Sequence, residues 1–383
     1  MNQRSTDVAI IGGGVIGLAV GWRAAKRGLR VTLLERGEVG RGTSYVAAGM
    51  IAPIAEANPT EPALLELGLA SARAYPLFIE DLREVSTVDP LYRRCGTLLA
   101  ARDRDEAEAL ERELAFRERL GLPVRRLLPS EARRLEPALS PTLRLGLEIP
   151  DDHAVDPRRL TAALADALVA AGGALRTGAE VDEVLLAGER VHGVRLAGGE
   201  IVSAGAIVIA AGPWSGAIAG LPAGARVPLR PVKGQIMQLR DPAGPGLISR
   251  VLRMQPGYLV PRGDGRYVIG ATMEERGFDT TVTVDAVHTL LRDAVELLPG
   301  LGELVIEELA AGTRPGTPDN LPLIGPGALA GLHWATGHHR HGFLLAPETA
   351  EMMAGELAGE PPSELATRFA PARFSQPTAG AVA

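Results

Sequence analysis

The stretch DVAIIGGGVIGLAVGWRAAKRGLRVTLLER, residues 7–36, decides the fold. Val8 to Ile11 is an apolar run of strand length, and Gly12, Gly14 and Gly17 follow it with the spacing G-x-G-x-x-G. The three glycines serve different ends, namely a tight turn, the approach of a pyrophosphate to bare backbone, and close packing of a helix on the strand. The helix that follows turns its N-terminal amides, with their partial positive charge, toward the phosphates. A second strand, Arg30 to Leu34, ends at Glu35. That carboxylate lies about 20 residues beyond the turn, where it can accept from ribose hydroxyls. A glycine turn in an ordinary βαβ unit is the plainer alternative, but strand, helix and acid together predict a dinucleotide site.

Bulk properties bound what the rest can be. The 383 residues suggest two or three domains, or one large domain with an insertion. A net charge of −6 argues against a nucleic-acid or anionic-membrane surface. Cys95 is the only cysteine, so no intrachain disulfide can form, which fits a reducing compartment. Few residues precede the first strand, and no apolar run approaches the roughly 18–20 residues needed to span a bilayer. The expectation is a cytoplasmic protein with no stable membrane association.

Patterning outlines the remaining elements. Ala107 to Leu120 reads as an exposed helix whose charges form a solvated face. Asp156 and Pro157 read as the N-cap and first residue of a helix ending at Gly172-Gly173. Strand-like pieces follow at 179–185, 191–196 and 206–210, the last bounded by Gly212-Pro213 and apolar enough for a buried parallel strand. Residues 235–239, 257–261 and 267–271 suggest antiparallel strands, with a hairpin turn at Gly263-Asp264-Gly265. A strand at 332–336 and a helix starting near Gly342 close the pattern. The expected fold class is α/β (α+β overall): a Rossmann-like dinucleotide domain carrying an inserted, mainly antiparallel substrate domain. Residues 1–60, 150–225 and 310–370 are assigned to the first, 61–149 and 226–309 to the second, and 371–383 to a disordered tail. The active site is expected between the two domains.

Two segments discriminate between dinucleotides. GTSYVAAGM, Gly42 to Met50, is small and hydroxyl-bearing, so it can pass close to a cofactor and bond it through Thr43 and Ser44. ATGHHRHGFLLAP, Ala335 to Pro347, aims a second helix N-terminus into the cleft. Its dipole can stabilise negative charge on a reduced flavin, a need that a nicotinamide does not have.

With PVKGQ (231–235), YLVPR (258–262), GATM (270–273) and GTRPGTPDNLPLIG (312–325), these segments resemble the FAD-dependent amine oxidases of the D-amino-acid oxidase family. Within it they are most similar to the glycine-oxidising branch of the bacterial thiamine pathway. The resemblance implies that Arg314 binds a substrate carboxylate, that Tyr258 bonds the same group, and that Arg340 lies beside flavin and substrate. Ala52, Met273 and His341 are implied as pocket walls. FAD contacts are implied at Gly12, Gly14, Val15, Ile16, Gly17, Glu35, Arg36, Thr43, Ser44, Ala48, Gly49, Met50, Val181 and Gly212, with the turn His338, His339, Arg340, His341, Gly342, Phe343 and Leu344 holding the isoalloxazine. Some relatives attach FAD through a late cysteine; none is present here, so non-covalent FAD is expected.

Each residue also has a plainer reading. Arg314 could be a salt bridge in a turn, whereas a planar guanidinium fork matches a carboxylate in two bonds. Tyr258, without the resemblance, reads as core or interface. The histidines lie on a glycine turn without a cysteine or carboxylate pair, so a metal site is rejected. Lys233 could assist oxygen reduction near a flavin, but a salt-bridged or solvated lysine is the simpler assignment. Cys95 is most simply a small buried apolar residue.

The implied activity is oxidative deamination of glycine, sarcosine, D-alanine or D-proline, with hydride passing to flavin N5 and O2 reduced to H2O2. A homo-oligomer and transfer of glycine imine to a thiazole-forming partner are implied as well. The alternatives are a relative with another amino-acid substrate or a non-oxygen acceptor, a nicotinamide dehydrogenase, and a non-catalytic flavin-binding protein.

Overall fold

The computed structural model describes residues 6–374. One sheet has a parallel core in the order Leu332–Thr336, Ile201–Ile209, Thr6–Ile11, Val31–Leu34, Ala174–Arg176, with Leu323–Pro326 antiparallel on its edge. Val8 stands opposite both Ala206 and Val31 in this register. The chain therefore leaves the central strand at Gly12, at the carboxyl end of the parallel strands, where open α/β sheets bind ligands. The turn depends on two glycines. Gly12 has φ +111°, and a Cβ on Gly17 would lie 2.0 Å from the Gly12 carbonyl oxygen. The helix Val15–Lys26 can approach the strand this closely only without a side chain at 17.

That helix shares an apolar core with the helices Pro62–Val85, Pro157–Ala170 and Gly342–Leu357. Arg23 Nε lies 2.9 Å from Glu351, and Arg27 Nη2 lies 2.8 Å from the same carboxylate, tying the first helix to Gly342–Leu357. Asp156 caps its helix as expected, accepting from the Arg158 and Arg159 amides. An antiparallel pair, Val181–Ala187 and Arg190–Leu196, pairs onto the first half of Ile201–Ile209 and builds a separate apolar cluster.

The second sheet runs Val305–Gly316, Arg230–Arg240, Arg266–Gly270, Tyr258–Pro261, Val251–Arg253, Thr97–Ala101, Leu145–Ile149, Arg125–Leu127. It is antiparallel except where Val251–Arg253 meets Thr97–Ala101. The hairpin turns through Gly263 and Gly265, at φ +85° and +88°. Helix Val284–Leu297 covers this sheet with Leu290, Ala294 and Leu297. Among the described residues no helix is long and apolar enough to cross a membrane.

The chain departs from the sequence reading in four places. Helix Pro62–Val85 falls in the segment 61–149, yet its Leu67, Tyr75, Phe78 and Leu82 face the core of the first sheet's helices. The Tyr75 hydroxyl donates to the Phe343 carbonyl at 2.5 Å. Strand Val305–Gly316 runs past 310 inside the second sheet, because Arg230 to Arg240 pairs along its whole length. Within the expected tail, Pro371–Phe374 forms a short helix held by Arg373 against Asp319; residues 375–383 lie outside the described residues. Finally, helix Arg104–Arg119 is more than a solvated face: Leu110, Leu114 and Arg117 are buried.

Candidate functional site

Two adjoining cavities, of about 600 and 670 Å³, share Val15, Thr43, Ser44, His339 and Gly342 as common wall. The first lies at the carboxyl end of the parallel strands. Gly12, Gly14, Ile16, Glu35, Arg36, Val181, Gly212 and His338 line it. Both helices that reach it, Val15–Lys26 and Gly342–Leu357, begin without a side-chain cap. Their first-turn amides therefore offer donors and positive potential to an anion. Ser44 Oγ accepts from the Val15 amide at 3.0 Å, joining the 42–50 segment to the glycine turn. Glu35 holds that turn from the other side, accepting from the Gly13 amide at 2.7 Å and the Gly37 amide at 2.9 Å. The Arg36 guanidinium stacks 4.1 Å over Trp214, giving the cavity a flat wall.

The second cavity runs from this wall to the second sheet. Ala48, Gly49, Met50, Tyr258, Met273, Arg314, Arg340 and Phe343 line it. Arg314 is half-buried, and its Nη1 donates to the carbonyls of Lys233 at 3.3 Å and Thr272 at 3.1 Å. Its other nitrogens bond no backbone carbonyl among the described residues, and Tyr258 lies within reach of the guanidinium. The guanidinium can lie there only because residue 234 is glycine: a Cβ would stand 2.2 Å from Nη2. Gly270 does the same for Tyr258, whose hydroxyl would be 2.6 Å from an added Cβ. Burial raises the Tyr258 pKa above its usual value, opposed by Arg314. Burial also lowers that of Arg314, with Arg340 adding to the effect and Tyr258 and Glu56 opposing it. A neutral phenol donor and a guanidinium fork thus face one cavity wall.

Some expected residues lie elsewhere. Ala52 is buried in an apolar cluster with Leu99 and Leu147, so it is no pocket wall. Gly17 lines neither large cavity, because its work is helix–strand packing. His341 and Leu344 line neither large cavity but a small hollow beside the second, which shares Glu56, Ala57 and Asn58 with it. Lys233 is fully buried and pairs with Asp279 at 2.7 Å, on the strand position next to Gly234. Cys95 is only partly buried. Among the described residues no group of three or more His, Cys, Asp or Glu is placed to hold a metal ion.

The structure adds residues that no motif marked. Glu56 lines the second cavity, 3.6 Å from Arg340 Nε and 3.3 Å from His341 Nδ1. Its turn is clamped on both edges. Buried Asp152 accepts from the Ile54 and Ala55 amides, and buried Arg117 donates to the carbonyls of the same two residues. Burial pushes the Asp152 carboxyl up to about 7.

His338 gives a pH prediction. It is buried with Thr349 Oγ1 at 3.0 Å, and burial pushes it down to about 3. Below the ordinary histidine value the unfolded chain takes up a proton that the folded chain refuses. The stability tied to this residue is therefore present above about pH 6.5 and lost as pH falls toward 3. Urea unfolding of His338→Gln should show a variant weaker than the wild type at pH 7.5 by about 1 kcal/mol, for the lost hydrogen bond. The gap should close or reverse by pH 4.5, at up to about 1.4 kcal/mol per pH unit. A gap constant with pH would mean that His338 takes up its proton as readily in the folded protein as in the unfolded chain.

Comparison with known proteins gives concordant results. Residues 7–356 match the family model described as FAD dependent oxidoreductase, designated DAO. The chain is 37% identical over 350 residues to the glycine oxidase of Geobacillus kaustophilus, covering 91% of this chain and 92% of that protein. It is 35% identical over 377 residues to the bifunctional protein ThiO/ThiG of Synechocystis sp., covering 97% of this chain but only about half, 54%, of that longer relative. The crystal structure of the Geobacillus glycine oxidase matches with a TM-score of 0.89 at 35% identity, covering 96% of this chain and 98% of that one.

Proposed function

Because the chain belongs to the DAO family of FAD-dependent oxidoreductases and takes FAD as its cofactor, we propose that it oxidatively deaminates glycine and small amines or D-amino acids, with O2 as acceptor. The single observation that carries this reading is the Arg314–Tyr258 pair, fitted over Gly234 and Gly270 beside the wall shared with the first cavity. Relatives of matching length, named glycine oxidases, support the substrate. The fused ThiO/ThiG relatives support supply of glycine imine to a thiazole-forming partner.

The residues present fit FAD. Two uncapped helix N-termini meet in the first cavity, its turn excludes side chains at 12 and 17, and Glu35 and Arg36 stand at its far end. Gly14 and the hydroxyl of Ser44, which accepts from the Val15 amide, would hold the pyrophosphate, Glu35 and Arg36 the adenosine end, and the turn at His339 and Gly342 the ring system. With no cysteine besides Cys95, a late cysteine cannot tether the cofactor, which supports non-covalent attachment. Bound FAD supplies a hydride acceptor and passes the electrons to oxygen, yielding hydrogen peroxide.

The chain's own part is positioning. Nη2 of Arg314 and the Tyr258 hydroxyl hold the substrate carboxylate and so fix Cα against the shared wall. Arg314 cannot swing, because Nη1 is tied to two carbonyls. The substrate amine reacts as the free base: its lone pair forms the C=N bond as the Cα hydrogen leaves with its electron pair. Holding the reacting atoms near contact supplies most of the rate. The Gly342 helix N-terminus lends positive potential where negative charge develops.

Mixing the purified holoenzyme with glycine under anaerobic conditions tests the reading. Loss of the oxidised flavin band without air, and stoichiometric peroxide when air is admitted, are expected. Bleaching that air does not reverse would assign another electron acceptor. No bleaching by glycine, sarcosine or D-alanine would remove the proposal.

A further inference from the structure

We propose that the mouth of the second cavity carries a second anion subsite, centred on Arg112 and Arg253, so that amines bearing two carboxylates are preferred over neutral ones of the same size. The inference rests on the oxidase reading above and names its substrate class.

One carboxylate needs one clamp, and Arg314 with Tyr258 provides it. The cavity holds more positive charge than that. Its mouth is walled by one face of helix Arg104–Arg119, where Ala109, Arg112, Glu113 and Phe116 recur at helical spacing, and by Arg253 from the second sheet. Glu113 is the sole acid on this wall, and two arginines share it. Its Oε2 accepts from Arg253 Nη1 at 2.8 Å and lies 3.1 Å from Nη1 of buried Arg117. One carboxylate therefore answers two guanidinium groups before Arg112 is counted.

Arg112 forms no ion pair or hydrogen bond among the described residues. The acids it could reach along its own helix are taken: Glu108 by Arg104 at 3.0 Å, and Glu111 by Arg126 at 2.7 Å. Such a surplus beside a cavity attracts a second negative charge on the ligand. Arg314 lines the same cavity, so an amino dicarboxylate held there by one carboxylate brings its second into the field of this surplus. Arg340 does not supply the second cation, because Glu56 stands against it.

The test uses holoenzyme and size-matched pairs that differ by one charge: D-aspartate against D-asparagine, D-glutamate against D-glutamine, and iminodiacetate against N-ethylglycine. The dianion should have the higher kcat/KM in at least one pair, by about three- to tenfold for a partly exposed charge contact. The pair that responds shows whether the second carboxylate is carried on nitrogen or on the side chain. Raised salt should shrink the advantage. Arg112 is exposed, so Arg112→Glu leaves the fold in place and should reverse the preference within the responding pair. Malonate against acetate, titrated by perturbation of the flavin spectrum, reads the subsite without turnover. Equal kcat/KM within all three pairs, or an Arg112→Glu effect equal on both members, would overturn the inference while leaving glycine oxidation intact. Tight, Arg112-dependent malonate binding without oxidation of any amine would keep the subsite and remove the oxidase.

Discussion

Replacing Arg314 with alanine is expected to lower kcat/KM for glycine by a factor of about 10²–10⁴. The substitution removes the charge-assisted Nη2 contact and leaves the bound carboxylate without its counter-charge, a loss of about 3–5 kcal/mol for a buried pair. Every 1.4 kcal/mol is a factor of ten. KM should rise strongly, because the lost contact exists in ground and transition state alike, and kcat should fall where Cα is no longer held. FAD content should not change, since Arg314 bonds to Lys233 and Thr272 and not to the glycine turn. Arg314→Lys should recover less than about a tenth of the lost activity. A lysine is a point charge that cannot satisfy two backbone carbonyls and a carboxylate in one plane. Steady-state peroxide kinetics with a flavin-to-protein absorbance ratio decide it. An alanine variant within threefold of wild type would remove Arg314 from the site.

Gly17→Ala should abolish cofactor binding. The new Cβ would lie 2.0 Å from the Gly12 carbonyl oxygen, and that obstacle is backbone, which has no rotamer to yield. The helix must move off its strand by more than an ångström, breaking the 3.0 Å bond from Val15 to Ser44 and dispersing the amides that face the pyrophosphate. A strained core contact of this kind costs several kcal/mol, of the order of a whole domain's stability. The expected product is insoluble or colourless protein. Gly28→Ala is the control. Gly28 has φ +87° but nothing within 4 Å of its missing Cβ, so this change costs about 1 kcal/mol and leaves the protein yellow. A yellow Gly17→Ala variant of normal stability would refute the packing argument.

What could be read from residues alone follows the range of the interactions. The turn at Gly12 to Gly17 is local in cause, as are the cap at Asp156 and the hairpin at Gly263, and each appears where its residue types place it. Arg314 and Tyr258 stood in short motifs, but the glycines that make room for them lie on neighbouring strands. Gly234 is 80 positions from Arg314, and only pairing of Arg230–Arg240 with Val305–Gly316 brings the two together. Glu56 was beyond reach, because AEANPT shows no chemistry by itself. Its place at the cavity is set by Arg117 and Asp152, far along the chain, acting on the backbone of Ile54 and Ala55. Ala52 failed as a wall residue for the same reason, since the clamped turn sends it into the core. Arg112 was hidden in a charge run, and only the ion pairs already made by its neighbours set it apart.

The linkage of the first helix to Gly342–Leu357 through Arg23, Arg27 and Glu351 bears on how the protein is made. A ribosome delivers the glycine turn within the first few seconds of translation and the helix that completes its cleft only after more than three hundred further residues. Until then the part of Val15–Lys26 that packs on Gly342–Leu357 has no lasting cover, although Pro157–Ala170 can already cover another part, and contacts between such distant segments form late and slowly. Cofactor capture is thus one of the last events in maturation. A truncated nascent chain stalled before residue 342 should carry the complete fingerprint and retain no flavin.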